Sequence, residues 1–600
     1  MKLAIFFKDK KNYPIIAVII LAVFLIFFRV TRGDMTNDGA HYSLRAVGYL
    51  DYMMSQLQTT PLQWFENLPW WNYLSFHDHP PLIFLIQHIF FLIFGSNIFA
   101  ARLPVALAGI GSVILIYLIC QEIFNRKIGQ LSALFLAVST FFIWASRVNF
   151  LEGVEIFFIL LPILFYFKAL KNEKLFWLFG LFLGLSFLTK YTTFFLLPVF
   201  LAYTFFYKRQ LFINKKFVLS LIIALFVFTP VIFYNLMVYK ARGHFDVQFS
   251  MLFNSTFEVA KKDWPSLFHD QKPVLNYWQN FLGTWRGFDF TYSKFYYWLL
   301  MAGVIYVSIM AVRRKIIKKI ESKNNSNLPD GRFFLFLVFI FLTILFIFAT
   351  PATRYLPIFT PFLAMAAAVF VVDLFLYLSH FLPSFKKILM VFFLIILLPI
   401  IAKELVYNFN TNHSYSPTGK TNVNYSEIRV ENAGFGEIEA YFEKIFSQEP
   451  GYSTKIRRIS KRADVTASLA DVKGKNIYIY ENSLNWFATV WHFQRHLLYS
   501  KVFFVSDLDL YQNLGLDQNW FNFFYERGAT GIYYIKGLSE AVGPINKDSD
   551  NVKLSREIER IFKDNVTQGK SNSAEDIKNH LGQTAFRVYY LNFSTVKPTP

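Results

Sequence analysis

The sequence predicts a polytopic α-helical membrane protein with a C-terminal soluble α/β domain. Of its 600 residues, 54% are hydrophobic and 73 are phenylalanine, and the mean hydropathy is +0.36. These values exceed the ordinary soluble range. Long apolar runs recur along the first two thirds of the chain and stop near residue 403, where Asn, Ser, Asp and Lys become frequent. We therefore expect a transmembrane domain over residues 1–402 and a soluble domain over 403–600.

Eleven apolar segments are candidates for transmembrane helices, each of which needs about 20 apolar residues with some allowance for packed bundles. They cover residues 13–30, 102–120, 130–146, 153–168, 175–190, 191–207, 217–238, 295–312, 333–350, 356–379 and 388–402. Another apolar segment, 81–94, has only 14 residues and follows two prolines that suit a helix start. We predict that it lies on the outer membrane surface as a juxtamembrane helix.

The basic residues between these segments predict the orientation, because short loops rich in Lys and Arg stay on the cytoplasmic side. If the N-terminal lysines are inside and 81–94 does not cross, every later basic cluster is also inside. These clusters are Arg126 with Lys127, Lys168 to Lys174, Lys208 to Lys216, Arg313 to Lys323, and Lys386 with Lys387. We therefore predict a multi-pass protein of the cell membrane with a cytoplasmic N-terminus and an extracytoplasmic C-terminal domain.

Charge and cysteine content exclude two function classes. The net charge is +20, but the basic residues are grouped between hydrophobic runs, so we expect membrane lipids and no nucleic acid as partners. Cys120 is the only cysteine and lies in an apolar run, so an intrachain disulfide is impossible and we expect no redox chemistry.

The first outer loop, "RGDMTNDGAHYSLRAVGYLDYM", contains Asp34 and Asp38 directly after the first span. Helical spacing begins at Ala40, so Asp38 is a candidate helix cap. A carboxylate held at the membrane surface also accepts a proton from a hydroxyl, which is the chemistry of a general base. The two roles need different orientations of the side chain, and the sequence leaves both open.

Two further carboxylates occur in "SRVNFLEGVEIFF", where Glu152 and Glu155 share one helical face at the outer end of the fourth span. Intramembrane carboxylates are costly and usually face a cavity or a cation, which favours a functional interpretation. Arg147 is an alternative partner, since a structural ion pair would satisfy either glutamate.

Two cations are placed at similar depth. Lys190, in "LTKYTT", lies in the middle of an apolar stretch that is short for two spans, and either snorkels to the surface or holds a lipid-linked phosphate. Arg354, in "ATPATRYLPIFTP", has the planar fork that suits phosphate better than an ammonium does.

The tripeptide His77, Asp78 and His79 has poor spacing for a closed metal site, and His41 completes a ligand set only if the fold brings it close. No cofactor is required by this interpretation. A divalent metal is compatible with the sequence but is not predicted.

Taken together, these segments resemble the GT-C superfamily of polytopic glycosyltransferases, in particular the protein O-mannosyltransferases and the lipid A aminoarabinose transferases. The resemblance covers roughly residues 10–400. It rests on the order and spacing of "NDGAHY", "HPPLIFLIQHIFFLIFG", "AARLPVALAGIGSVILIYLI", "SRVNFLEG", "GLFLGLSFLTKYTTFFLLP" and "TRYLPIFTPFLAM". Many such enzymes have an acidic residue where this chain has Gly39, and an Asp where it has Glu152.

The resemblance implies a transfer of sugar from a polyprenyl-phosphate donor to a hydroxyl of a lipid, polysaccharide or protein acceptor, by a single displacement with inversion. It implies Asp38 as the base and Glu152 as a second catalytic carboxylate, with Lys190 and Arg354 holding the phosphate. Further candidates for substrate binding are Asp34, His41, Tyr42, His79, Arg147, Glu155, Tyr191 and Tyr355.

The C-terminal domain alternates helix and strand patterns, with helices at "FGEIEAYFEKIF" and "SLNWFATVWHFQRHLLY" and strands at "KNIYIYEN", "KVFFVSD", "GIYYIKG" and "FRVYYLNF". It contains no recognisable second catalytic centre, and its role stays open.

A polytopic transporter or lipid flippase is the alternative function, because buried carboxylates, a recessed lysine and broken helices also describe transport pathways. The absence of paired repeats and the large outer loops favour the transferase.

Overall fold

The protein was analysed as a computed structural model, which describes residues 9–55, 57–252, 254–268, 276–320, 331–349, 352–414, 423–465, 472–514, 519–539, 542, 550–567 and 573–594. Residue 350 of the predicted segment 333–350 and the end of the basic cluster Arg313 to Lys323 lie outside these residues. All candidate site residues lie within them.

Long apolar helices dominate the first two thirds of the chain. Eight helices of the described part are long and apolar enough to cross a membrane. They are Lys10–Phe27, Ile98–Ile123, Leu151–Lys171, Lys215–Arg242, Lys294–Arg313, Gly331–Ala349, Thr353–Phe381 and Pro383–Asn412. The predicted class of a polytopic α-helical membrane protein is therefore confirmed.

The other three predicted segments form helices that are bent or short. Residues 130–146 fall in the helices Arg126–Val138 and Thr140–Arg147, which meet at an angle of 64°. Residues 175–207 form the helices Phe176–Phe187 and Leu196–Tyr207, and the second is preceded by the short 3₁₀ helix Tyr191–Phe195. Every predicted segment thus coincides with a helix, whereas the number of eleven crossings stays a prediction.

The segment 81–94 forms the helix Leu82–Phe94. Ile83, Phe84 and Phe91 are buried in the protein, while Leu85, Ile89, Leu92, Ile93 and Phe94 are exposed. One face thus packs on the protein and the other is apolar and uncovered, which fits a helix lying in a membrane surface.

Shorter helices lie between the long ones. They are Asp38–Gly48, Pro61–Trp64, Val247–Leu252, Asn254–Ala260 and Tyr277–Arg286. The helix Asp38–Gly48 is central to the site because it contacts both the helix Leu82–Phe94 and the C-terminal domain.

The C-terminal domain contains a five-stranded sheet, so the predicted α/β class is confirmed. The strands are β1 (Asn476–Tyr480), β2 (Phe504–Ser506), β3 (Gly531–Gly537), β4 (Ser573–Lys578) and β5 (Thr584–Asn592). Their order is β2-β1-β3-β5-β4, with β1 parallel to β2 and β3, and β5 antiparallel to its neighbours. The sequence analysis missed β4, whose side chains are mostly polar and exposed.

Helices cover this sheet and connect the domain to the membrane part. They are Phe435–Phe446, Trp486–Thr489, Arg495–Ser500, Asp507–Leu514, Asn519–Glu526 and Asp550–Thr567. A π-helical turn, Val490–Gln494, joins the second of these to the third. The last membrane helix continues past the predicted domain boundary at residue 402 and ends at Asn412.

Candidate active site

Four charged residues that the sequence analysis singled out form two ion pairs. The Arg354 guanidinium donates a hydrogen bond to the Asp38 carboxylate. The Lys190 ammonium donates to the Glu152 carboxylate. The fold therefore brings together two carboxylates and two cations that are far apart in the sequence.

Asp38 is the first residue of the helix Asp38–Gly48, and it is not the cap. The Asn37 side chain caps this helix instead, because its Oδ1 accepts a hydrogen bond from the Gly39 amide at 3.0 Å. This corrects the capping interpretation of Asp38. Its carboxylate is left to face Arg354.

Tyr355 lies between the two cations. Its hydroxyl oxygen is 2.8 Å from a guanidinium nitrogen of Arg354 and accepts a hydrogen bond from it. Its ring centroid is 4.2 Å from the Lys190 ammonium and 4.9 Å from the centre of the Arg354 guanidinium. Both cations thus gain from the negative face of one aromatic ring.

The pair of Glu152 and Lys190 is buried, and Glu155 beside it is fully buried. Thr192 donates its hydroxyl to one carboxylate oxygen of Glu155. In the described part of the chain, the second carboxylate oxygens of Glu152 and Glu155 have no hydrogen-bond partner. Such buried acceptors are costly unless a further donor reaches them, so they are suited to a ligand hydroxyl.

Burial raises the pKa of Asp38 above its ordinary value, and the charge of Glu152 raises it further. Arg354 and, more weakly, His79 act in the opposite direction. A carboxylate with a raised pKa is a stronger proton acceptor than an ordinary aspartate, which suits a general base.

Tyr42 and His79 lie on the same side of the helix as Asp38. Tyr42 follows Asp38 by one helical turn, and its ring meets the His79 ring edge to face with centroids 5.3 Å apart. His79 in turn contacts Asp78, with Nδ1 and Oδ2 separated by 3.0 Å. These residues join the candidate site as neighbours of Asp38.

A buried ion network supports this corner of the site, and the sequence analysis missed two of its members, Arg45 and Asp51. Arg45 donates to Asp51 at 2.8 Å and to both oxygens of Asp78 at 2.6 and 3.1 Å. Nδ1 of His77 lies 2.7 Å from Asp51. The signal was available in the sequence, because Arg45 interrupts an apolar helical pattern.

The ligand atoms of Asp51, His77 and Asp78 are close enough together to hold a metal ion. Their oxygens are, however, already engaged by Arg45 and by the ring and backbone nitrogens of His77. A buried arginine in contact with both carboxylates fits an ion network better than a cation site. His41, a candidate for substrate binding, is not part of this group of ligand atoms; its ring lies against Trp486 of the C-terminal domain, with centroids 4.5 Å apart and the planes tilted by 51°.

Three residues predicted to bind substrate are engaged elsewhere. Asp34 accepts hydrogen bonds from backbone amides between Ala433 and Gly436. Arg147 donates to backbone carbonyl oxygens between Leu25 and Arg29. Tyr191 donates its hydroxyl to Asp246 at 2.5 Å, and burial raises the pKa of Asp246 to about 6. These three side chains therefore bind other groups and do not take part in the ion pairs of Asp38 with Arg354 and of Glu152 with Lys190.

Gly39 is explained by close packing. A Cβ atom at this position would lie 2.8 Å from Cβ of Asn149 and 3.0 Å from Oδ1 of Asn37, the capping atom. A larger residue would push the helix start away from its cap. The acidic side chain that many GT-C enzymes carry after the first Asp has no room here.

Part of the chain matches a known protein family. Residues 78–234, which include His79, Glu152 and Lys190, match the model of the family described as dolichyl-phosphate-mannose-protein mannosyltransferase. The predicted resemblance to polytopic glycosyltransferases is confirmed. The family match therefore includes Glu152 and Lys190 of the candidate site, while Asp38 and Arg354 lie outside the matched residues.

Two curated relatives come from Bacillus subtilis (strain 168). The putative mannosyltransferase YkcB is 32% identical over 236 residues, which is 37% of this chain and 30% of the relative. The putative mannosyltransferase YycA is 31% identical over 207 residues, which is 33% of this chain and 28% of the relative. The aligned part thus spans about a third of the length of these relatives.

Among solved structures, ArnT from Cupriavidus metallidurans bound to undecaprenyl phosphate aligns with 97% of this chain and 99% of its own. The TM-score is 0.47 and the identity is 12%. The oligosaccharyltransferase of Archaeoglobus fulgidus aligns with 87% of this chain and 67% of its own, with a TM-score of 0.48 and 14% identity.

Proposed function

We propose that this protein is a membrane glycosyltransferase that moves a sugar from a polyprenyl-phosphate donor to an acceptor hydroxyl. The observation that carries the proposal is the cluster of Asp38, Glu152, Lys190 and Arg354, which combines proton acceptors with two phosphate-binding cations. A lipid-linked donor needs such cations at the membrane surface, since its phosphate lies there while its tail remains in the bilayer.

The proposed reaction is a single displacement. Asp38 takes the proton of the acceptor hydroxyl, and the oxygen attacks the anomeric carbon of the donor sugar. The bond between that carbon and the phosphate oxygen breaks, its electrons stay on the oxygen, and polyprenyl phosphate leaves. The new bond forms on the opposite face of the sugar, so the configuration is inverted. Lys190 and Arg354 stabilise the growing phosphate charge.

The ion pairs must open for this reaction. Both cations are engaged by carboxylates, so a donor phosphate has to replace Asp38 on Arg354 and Glu152 on Lys190. Displacement of Asp38 from Arg354 frees the carboxylate that the mechanism needs as a base. Tyr355, which contacts both cations, keeps them close to one another during the exchange.

We further propose that transfer occurs on the outer side of the cell membrane, as the positions of the basic clusters indicate. The names of the matched family and of the two Bacillus relatives support a hexose such as mannose as the first donor to test. The acceptor is a lipid, a polysaccharide or a protein.

The alternative is a transporter or lipid flippase, which the helix break at Ser139 and the buried carboxylates favour. The two functions differ in outcome, because a flippase moves the intact donor across a bilayer whereas a transferase cleaves it.

The experiment is a transfer assay with purified protein in nanodiscs and radiolabelled polyprenyl-phosphate sugars, with mannose first. Wild type is compared with Asp38→Asn and with the control Asp576→Asn, whose carboxylate pairs with Arg587 on the protein surface. We expect sugar release by wild type and control, and loss of release with donor binding retained in Asp38→Asn. Donor translocation in vesicles without cleavage would establish the flippase instead.

A further inference from the structure

The chain from the end of the first span to Asp34 is held by two buried arginines. The Arg147 guanidinium donates to four backbone carbonyl oxygens between Leu25 and Arg29, at 2.7 to 3.2 Å. The Arg102 guanidinium donates to four more between Val30 and Asp34, also at 2.7 to 3.2 Å. The carbonyl oxygens of this loop are thus bound from the membrane part.

The C-terminal domain binds the same loop through Asp34. The Asp34 carboxylate accepts hydrogen bonds from the amides of Ala433, Gly434, Phe435 and Gly436, at 2.6 to 3.3 Å. These amides lie at the start of the helix Phe435–Phe446, where a negative charge is favoured. The Asp34 amide in turn donates to the Glu431 carbonyl oxygen at 2.8 Å.

His492 makes a second attachment one residue later. Its Nδ1 lies 2.5 Å from a carboxylate oxygen of Glu439, and its Nε2 lies 3.4 Å from the Met35 amide nitrogen. With the proton on Nδ1, the ring donates to Glu439 and accepts from Met35, so the two bonds support one tautomer. His492 belongs to the π-helical turn, a feature that is frequent at functional sites.

The helix that begins at Asp38 is held by the same domain. The Tyr499 hydroxyl donates to the Leu44 carbonyl oxygen at 2.9 Å, and the same ring fills the space beside Gly48. The Trp486 ring lies against His41, with centroids 4.5 Å apart. The C-terminal domain therefore contacts the residues before Asp38 and the helix after it.

We infer that the C-terminal domain positions the base Asp38 in the candidate active site. The positioning residues are His492, which belongs to this domain, and Asp34, which binds to it. This inference rests on the proposed function for the identity of the base. Misplacement of a catalytic group by about 1 Å costs on the order of a hundredfold in rate. Loss of either attachment should therefore lower kcat without raising the donor KM, since neither residue belongs to the pair of proposed phosphate-binding cations and a displaced Asp38 competes less with the phosphate for Arg354.

The test combines hydrogen exchange with kinetics on the full-length protein in nanodiscs. The variants are Asp34→Ala and Asp34→Asn, and His492→Leu and His492→Gln. Asn and Gln each retain an oxygen acceptor and should rescue part of the effect. The control is Asp464→Asn, because Asp464 also accepts backbone amide hydrogens, from Ser460 and Lys461, but does not touch the loop.

We expect amides 35–44 to exchange faster in Asp34→Ala and His492→Leu, to be intermediate in the conservative variants and to be unchanged in the control. We expect kcat to fall about tenfold to a hundredfold in the same order, with the donor KM no more than about twofold above that of wild type. Unchanged exchange, or faster exchange with unchanged kcat, would overturn the inference.

These experiments also distinguish a failure of this inference from a failure of the proposed transferase function. Wild type would then transfer no sugar from any donor, and the exchange data alone would decide. Faster exchange would support placement of the loop by the domain, and unchanged exchange would refute it. Active wild type with unaffected Asp34 and His492 variants would refute the inference and leave the transferase standing.

Discussion

The Arg354 guanidinium and the Asp38 carboxylate form an ion pair between residues 316 positions apart in the sequence. The pair joins the candidate phosphate-binding cation directly to the candidate base. In the proposed mechanism, the group that binds the donor also controls whether the base is available. The predictions below test the consequences.

Replacement of Arg354 by lysine should weaken donor binding. A guanidinium makes two parallel hydrogen bonds to a phosphate, whereas an ammonium is a single point charge. We expect the donor KM in Arg354→Lys to rise about tenfold, which corresponds to about 1.4 kcal/mol. Steady-state transfer kinetics with varied donor would measure it. Arg332→Lys is the matched control, because Arg332 pairs with Asp373 elsewhere in the membrane part. An equal rise of the donor KM in this control would contradict a specific role of Arg354.

Removal of the Tyr355 ring should matter more than removal of its hydroxyl. Tyr355→Phe deletes one hydrogen bond to Arg354 and keeps the ring that faces both cations. Tyr355→Leu deletes both. Cation–π contacts of partly buried cations are worth about 1–2 kcal/mol, so we expect kcat/KM to fall roughly tenfold in the Leu variant and less in the Phe variant. Equal losses in the two variants would assign the effect to the hydroxyl.

The buried pair of Glu152 and Lys190 predicts strong coupling in stability. A single change, Glu152→Gln or Lys190→Met, leaves the partner charge buried without its counter-ion, which typically costs about 3–5 kcal/mol. The double variant removes both charges and should be more stable than either single variant. Thermal unfolding of the four proteins in the same detergent would measure the coupling. Additive losses would show that the two groups do not depend on each other.

The pH dependence of transfer should report Asp38. The base works only when ionised, so kcat/KM should decrease as the pH falls through the pKa of Asp38, which burial raises above that of an ordinary aspartate. Arg354 lowers this pKa and Glu152 raises it. We therefore expect the acidic limb to move to higher pH in Arg354→Gln and to lower pH in Glu152→Gln. Shifts in the same direction would exclude Asp38 as the titrating group.

The sequence by itself determined the helical framework. A transmembrane helix needs about 20 apolar residues to cross the hydrocarbon core of the bilayer. Apolar runs of this length therefore identify helices without any knowledge of what packs against them. Alternating patterns likewise identified four of the five strands, while the polar strand β4 carries no such pattern. Glu155, Lys190 and Arg354 were singled out because charges at membrane depth are costly, whereas the catalytic roles of Asp38 and Glu152 came from the family resemblance.

Only the tertiary structure decided how these charges are paired. The sequence placed both Asp34 and Asp38 in the candidate site, yet Asp34 accepts backbone amides at the start of a helix about 400 residues away and only Asp38 faces Arg354. Arg147 was considered as a partner of a glutamate, and its guanidinium bonds to the backbone of the first span instead. Such pairings depend on which segments pack together, and local pattern contains no information on contacts between residues hundreds of positions apart.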